Sequence, residues 1–110
     1  METKKHILIK VKNYRITATA KEVKGLCLAG LRPGDRVNMV LPRVDLKNTD
    51  KICVNAMSAL MPFIRQFSSE ELPYNARAFV SCPDPGPTKG GHGNVLFEIT
   101  RKFIGYKKKV

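Results

Sequence analysis

Hydrophobic and polar residues alternate along the first part of the chain. Ile7, Ile9 and Val11 recur at every second position. A period of two is typical of a half-buried β-strand, so a strand is predicted over residues 6–20, unless a turn at Asn13 divides it. Further strands are predicted over residues 36–41, over residues 76–82, where the alternation is weak, and over residues 94–100, the last continuing past a bend over residues 103–106.

The periodicity changes to three and four residues after position 51. Apolar residues then form a stripe that predicts one amphipathic helix, beginning near residues 50–53. Pro62 lies inside this helix, where it lacks an N–H donor and clashes with the preceding turn, so a kink or a restart is predicted there. The stripe consists of Ile52, Ala56, Ala59, Leu60, Phe63, Ile64 and Phe67.

One helix among several strands indicates an α+β domain. We predict a small, largely antiparallel sheet of about four strands, with the main helix, kinked near Pro62, packed on one face. The length of 110 residues is typical of a single domain, and residues 107–110 are predicted to form a flexible basic tail. Irregular connections are predicted over residues 21–30, 43–49 and 83–93.

Basic residues outnumber acidic residues by 20 to 9, which gives a net charge of +11. The excess is concentrated at both ends of the chain, where it is interleaved with Tyr14, Phe103 and Tyr106. This combination is typical of nucleic-acid-binding surfaces, and the terminal strands are predicted to bring both basic ends onto one face. The alternative is a solvated surface that only maintains solubility. The candidate contacts to RNA or DNA are Lys10, Lys12, Arg15, Arg101, Lys102, Lys107, Lys108 and Lys109.

The N-terminus indicates a protein without a leader or a membrane anchor. Only a short apolar run follows Lys4 and Lys5, which is not the pattern of a signal peptide. No apolar stretch approaches the length of about 20 residues that a membrane helix requires. We therefore expect a cytoplasmic location, no membrane partner and reduced thiols.

The three cysteines lie where the backbone is expected to turn. Cys27 lies between Gly25 and Gly30, Cys53 lies at the predicted helix start, and Cys82 ends a predicted strand. Their spacing matches no CxxC metal motif. Either the fold brings them together in one site, or each is a small apolar residue of the core. Position favours one pocket for Cys53 and Cys82 and a structural role for Cys27.

Three converging sulfur atoms would provide most of a metal site. Cys27, Cys53 and Cys82, with His92 or Asp84 as the fourth ligand, would suit zinc, copper or an iron–sulfur cluster. For a small ligand, the candidate binding residues are Cys53, Cys82, Asp84 and His92. In the alternative interpretation, the prolines after Cys82 only terminate a strand and His92 is solvated.

Cys53 is also a candidate nucleophile for a thiol enzyme. Unpaired N–H groups and the dipole at a helix start favour a thiolate. A core position beside Ala56 is the alternative. The sequence contains no GxSxG, HExxH or paired-carboxylate pattern, so an enzyme of this sequence would depend on a thiol. The glycine-rich residues 88–94 could form an anion nest for phosphate, or only a flexible hairpin connection.

Short segments spread over most of the chain form a recurring pattern. They are Ile7–Val11, Cys27–Gly30, Pro33–Asp35, Ile52–Ala56, Leu60–Pro62, Ser81–Asp84 and Val95–Ile99. The pattern resembles a family of small uncharacterised prokaryotic proteins of similar length. The resemblance implies that the three cysteines belong to one shared pattern, and it implies no particular activity. The loop over residues 85–93 and the strong positive charge depart from the family pattern.

The sequence therefore supports three functional hypotheses. The first is a small cytosolic protein that binds zinc, another thiophilic metal or a small ligand through a cysteine-centred site. The second is a basic nucleic-acid-binding module that uses the lysine-rich termini. The third is a thiol-dependent enzyme with Cys53 as the nucleophile.

Overall fold

The chain folds into a five-stranded sheet with one long helix. A computed structural model describes residues 9–69, 72–73 and 75–109. Its elements are β1 (Ile9–Gly25), β2 (Arg36–Val40), β3 (Arg43–Val44), α1 (Val54–Ser69), β4 (Arg77–Ser81) and β5 (Gly93–Lys109), with short 3-10 turns at Leu46–Asn48 and Pro87–Lys89. Residues 6–8 of the predicted first strand and residue 110 of the predicted tail lie outside the described residues.

The sheet has the order β3-β2-β1-β5-β4, and every neighbouring pair is antiparallel. The predicted α+β fold with one main helix is confirmed for the described residues, but the sheet has five strands, one more than predicted. The additional strand is β3, in a segment predicted to be irregular. It forms only the pairs Met39–Val44 and Val40–Arg43, which is too short for alternation to be visible in the sequence.

Strands β1 and β5 are longer than the sequence pattern predicts. They pair from Ile9–Lys109 at one end to Gly25–Gly93 at the other, so residues 21–25 belong to a strand and not to a connection. The register shifts twice, between Lys12 and Tyr14 and between Ala20 and Glu22. A register shift breaks the period of two, so the sequence pattern does not reach the strand ends.

Helix α1 packs across one face of the sheet through a narrow stripe. Ala56, Leu60, Ile64 and Phe67 are buried, at the spacing expected for one helix face. Burial of each large aliphatic side chain contributes about 1.5–3 kcal/mol, so this stripe determines where the helix start lies. The sheet residues that complete the core are Ile16, Ala18, Ala20, Val37, Met39, Val80, Val95, Phe97 and Ile99.

Pro62 does not end or restart the helix. α1 is continuous from Val54 to Ser69 with Pro62 inside it, so the predicted restart is wrong, while a kink within a continuous helix stays a prediction. Pro62 is exposed, whereas Leu60 and Ile64 on either side are buried against the sheet. Packing against the sheet therefore holds the helical turns before and after Pro62 in place, although Pro62 cannot donate a backbone hydrogen bond.

Arg101 stabilises the C-terminal end of α1. It is only 9% exposed, and its Nη1 and Nη2 donate to the carbonyl oxygens of Phe67 at 2.8 Å and Leu72 at 2.7 Å. Its guanidinium group also lies 4.0 Å from the centre of the Tyr14 ring. A cation at the end of a helix satisfies carbonyl groups that lack intrahelical donors and opposes the negative end of the helix dipole.

No helix within the described ranges combines the length and the apolar character required to cross a membrane.

Candidate functional site

Three segments that are distant in sequence meet at one end of the sheet. They are the turn after β1, the start of α1 and the loop after β4, and each carries one cysteine. Cys27, Cys53 and Cys82 all line one cavity of about 680 Å³. The sequence predicts one pocket for Cys53 and Cys82, and both line this cavity. Cys27, for which position favoured a structural role, lines the cavity as well and also packs against the core.

Two glycines allow the Cys27 turn to lie directly against β5. Gly25 and Gly93 are paired at the ends of β1 and β5. A Cβ atom at Gly93 would lie 2.4 Å from the carbonyl carbon of Leu26, and one at Gly25 would lie 2.5 Å from the carbonyl oxygen of His92. Only residues without a side chain permit this approach, which places the adjacent Cys27 at the cavity.

Cys53 is the residue that caps the start of α1. Its carbonyl oxygen accepts a hydrogen bond from the N–H of Met57 at 3.0 Å, and the helix begins at the next residue, Val54. The carboxylate of Asp50, near the predicted helix start, instead accepts a hydrogen bond from the N–H of Arg36 at 2.8 Å. The first turn of an α-helix has N–H groups without intrahelical partners and carries the positive end of the dipole. That end of α1 faces the cavity.

The thiol of Cys82 is held by the backbone of β5. Its Sγ accepts a hydrogen bond from the N–H of Val95 at 3.3 Å. The same sulfur lies 4.0 Å from the carbonyl oxygens of Asp84 and Gly93, within reach of a weak S–H donor. Cys82 is half-buried, and the hydrogen bond from Val95 orients its sulfur at the cavity wall.

Asp84 organises the loop that closes one side of the cavity. Its Oδ1 accepts hydrogen bonds from the N–H groups of Gly86 at 2.8 Å and His92 at 3.0 Å. These two backbone donors hold the pKa of Asp84 below its usual value, because they stabilise the ionised form. A Cβ atom at Gly91 would lie 2.0 Å from Oδ1, so the loop wraps closely around the carboxylate. Asp84 lines the cavity, but its carboxylate already has partners.

His92 lies beside the loop and is not among the residues that line the cavity. Its side chain is 64% exposed, and its Nδ1 lies 3.8 Å from Oδ2 of Asp84. Within residues 9–69, 72–73 and 75–109, no group of three or more His, Cys, Asp or Glu side chains is placed to hold a metal ion. The predicted zinc or thiophilic-metal set of Cys27, Cys53 and Cys82 is therefore not formed in this arrangement.

The glycine-rich loop uses its own N–H groups internally. The N–H of Gly91 donates to the carbonyl oxygen of Gly86 at 2.9 Å, and those of Gly86 and His92 donate to Asp84. A phosphate nest requires N–H groups that point outward to the anion. The predicted nest over residues 88–94 therefore lacks the donors at positions 91 and 92, and the hairpin connection is the better interpretation.

An apolar rim surrounds the cavity, which the sequence analysis did not anticipate. Leu28, Ile52 and Val54 line it and are 72%, 43% and 81% exposed. Leu28 and Val54 are large apolar residues outside the predicted helix stripe, whereas Ile52 was predicted to belong to that stripe but lies before α1 and is exposed. Asn55 and Ser58 add polar groups to the same lining.

The two basic ends of the chain lie side by side because β1 and β5 are antiparallel. Lys10 pairs with Lys108, Val11 with Lys107 and Arg15 with Lys102. Of the predicted contacts, Lys12 and Lys102 are exposed, Arg15 forms an ion pair with Asp45, and Arg101 is buried. The side chains of Lys10, Lys107, Lys108 and Lys109 lie outside the described residues.

Comparisons with protein-family models, with curated proteins and with solved structures find no match to this chain. The family resemblance stays a prediction.

Proposed function

We propose that this protein binds a small molecule in the cavity lined by its three cysteines. The observation that carries the proposal is the convergence of Cys27, Cys53 and Cys82, from three separate segments, on one cavity of about 680 Å³. Small-molecule sites are concave and typically measure roughly 300–1,000 Å³. A cavity of this size holds an organic molecule of moderate size.

The lining indicates the chemistry of the ligand. The start of α1, at Cys53 and Val54, favours an anionic or electron-rich group through its N–H groups and its dipole. Leu28 and Ile52 offer exposed apolar surface at the same cavity, and the three polarizable sulfur atoms add to it. We expect a partly apolar molecule with one anionic group.

Binding is better supported than thiol catalysis. A catalytic cysteine is activated by an adjacent base or by surroundings that lower its pKa, such as a helix start. Among the described residues that line the cavity there is no histidine, and Asp84 is held in its ionised form by backbone donors, which makes it a weak base. Cys53 at the helix start remains the one candidate nucleophile, so the experiment includes an arm for it.

The test uses 1-anilinonaphthalene-8-sulfonate as the probe, because it joins an apolar ring system to an anionic group. The three thiols are alkylated with iodoacetamide in the presence and absence of the probe, and each cysteine is quantified by peptide mass spectrometry. We expect the probe to slow alkylation at Cys27, Cys53 and Cys82 together. Equal rates with and without the probe would contradict the proposal.

A matched pair of variants separates the cavity from general surface binding. Val54→Asp places a negative charge at the rim, at a helix start where aspartate is tolerated, and should weaken probe binding about tenfold or more. Phe79→Asp introduces the same negative charge at a side chain that is 56% exposed and lies outside the cavity lining, and it should leave probe binding unchanged. Alkylation of Cys53 far faster than of the other two thiols would favour the thiol-enzyme hypothesis instead.

A further inference from the structure

The paired ends of β1 and β5 form a two-stranded ribbon that extends beyond the other strands of the sheet. β2 pairs with β1 only over residues 16–19, and β4 pairs with β5 only over residues 96–100. Residues 9–15 and 102–109 therefore have no third strand beside them within the described structure, and we call them the basic ribbon. The described part of the chain measures 63 × 24 × 22 Å and is strongly elongated.

The sequence of the basic ribbon carries positive charge only. It contains seven lysine and arginine residues and no aspartate or glutamate. Lys10 and Lys108 are directly opposite each other, a pairing of like charges that destabilises an antiparallel ladder. Arg15 is compensated by Asp45 from outside the ribbon. A bound polyanion would offset the repulsion among the lysines.

Aromatic rings line one side of the basic ribbon. The rings of Tyr14 and Phe103 lie 5.9 Å apart, and those of Phe103 and Tyr106 lie 5.3 Å apart, both in edge-to-face geometry. Phe103 is 48% exposed and Tyr106 is 60% exposed. Exposed rings next to lysines are the combination by which proteins bind single-stranded nucleic acid, since bases stack on the rings while cations contact the phosphates.

We infer that the basic ribbon binds single-stranded nucleic acid without sequence preference. The lysines contact the phosphates, and Phe103 and Tyr106 offer stacking surfaces for bases. Arg101 has no part in this contact, because it is buried and its Nη atoms donate to the carbonyl oxygens of Phe67 and Leu72. The ribbon lies at the Ile9–Lys109 end of the β1–β5 pair and the cavity at the Gly25–Gly93 end. The inference is therefore independent of the proposed small ligand.

Fluorescence anisotropy with a labelled oligothymidylate of about 15 nucleotides tests the inference in a salt titration. Lys107, Lys108 and Lys109 are replaced together by alanine. We expect affinity to fall at least tenfold near 50 mM salt, and the slope of log K against log salt to decrease by about 2. The matched control replaces the exposed Lys24, Lys47 and Lys89 by alanine, which removes the same charge away from the ribbon. It should retain wild-type affinity within about twofold.

A second variant tests the stacking contribution. Tyr106→Leu keeps an apolar side chain but removes the ring, and should weaken binding about tenfold without changing the salt slope. Phe79→Leu, at an exposed ring on β4 outside the ribbon, is the control. Circular dichroism checks that each variant is folded.

Four outcomes would overturn the inference. The first is an equal loss of oligonucleotide affinity in the two triple variants, and the second is an unchanged affinity in Tyr106→Leu. The third is that a duplex of the same length binds as tightly as the single strand. The fourth is that the protein binds phosphatidylserine vesicles but not the oligonucleotide. The first would assign binding to net charge alone, and the last would assign the ribbon to a membrane surface.

Discussion

The backbone N–H of Val95 donates a hydrogen bond to Sγ of Cys82 at 3.3 Å. Cys82 also donates its own N–H to the carbonyl oxygen of Val95 at 2.9 Å, so the two residues are joined by both backbone and side chain. This pair connects the end of β4 to β5, and β5 in turn pairs with the strand that leads to Cys27. One wall of the cavity is thus tied directly to the sheet.

We expect the Cys82 sulfur to contribute to stability as an acceptor. Cys82→Ala removes the partner of the Val95 N–H and should lower the free energy of unfolding by about 1 kcal/mol. Cys82→Ser keeps an acceptor and should cost less. Urea denaturation of both variants measures the difference, and a serine variant less stable than the alanine variant would contradict the assignment.

Asp84 should make the stability of the protein depend on acidic pH. Its pKa is lowered in the folded state, so its contribution is fully present above the unfolded pKa and is lost as the pH falls through the lower folded pKa. Asp35 and Asp45 also have lowered pKa values, so a variant without the Asp84 carboxylate still loses some stability at acidic pH. The variant Asp84→Asn should therefore show a shallower loss of stability below about pH 4. Denaturant unfolding over this pH range is the measurement, and parallel curves for variant and wild type would refute the role.

Gly93 should be intolerant of any side chain, because its Cβ would collide with the backbone of Leu26. Gly93→Ala should destabilise the fold by about 1–3 kcal/mol and change the alkylation rate of Cys27, since the turn must move. Gly90→Ala is the control, because a Cβ there meets nothing within 4 Å and only its positive φ of 88° is strained. A Cys27 rate that changes equally in both variants would exclude the close approach as the cause.

Arg101 should act on stability and not on nucleic-acid binding. Arg101→Met leaves the carbonyl oxygens of Phe67 and Leu72 without these donors and should lower the free energy of unfolding by roughly 2–3 kcal/mol. Lys102→Met, at the exposed neighbouring position, should change it by less than about 0.5 kcal/mol. If the two variants are equally stable, the helix-end role assigned to Arg101 is wrong.

Metal analysis of the purified protein separates the small-ligand proposal from the metal hypothesis. Because no described cluster of three candidate side chains is placed to hold an ion, we expect zinc well below one equivalent per chain and no change in melting temperature on adding a chelator. One equivalent of zinc that is lost in Cys27→Ser would instead support the metal site and a rearrangement of the cavity.

The sequence alone predicted those elements whose signal is local. Residues such as Leu60 and Ile64 face the sheet four positions apart, and strand residues such as Ile16 and Ala18 face α1 two positions apart. Burial on one face imposes these periods directly on the order of residues, so the helix and most strands were readable. The ends of β1 and β5 were not, because bulges break the period.

The candidate site depended on tertiary structure. The sequence marked Cys53 and Cys82 by their places at a helix start and a strand end, and it favoured a structural role for Cys27 while also counting Cys27 among the candidate metal ligands. Cys27 lines the cavity because Gly25 pairs with Gly93 and leaves no space for a side chain between the two backbones. Which strand pairs with which, and in what register, depends on contacts between residues far apart in the chain. The same antiparallel register decided that Lys10 lies opposite Lys108, because long-range pairing is set by the packing of the whole sheet and not by any local pattern.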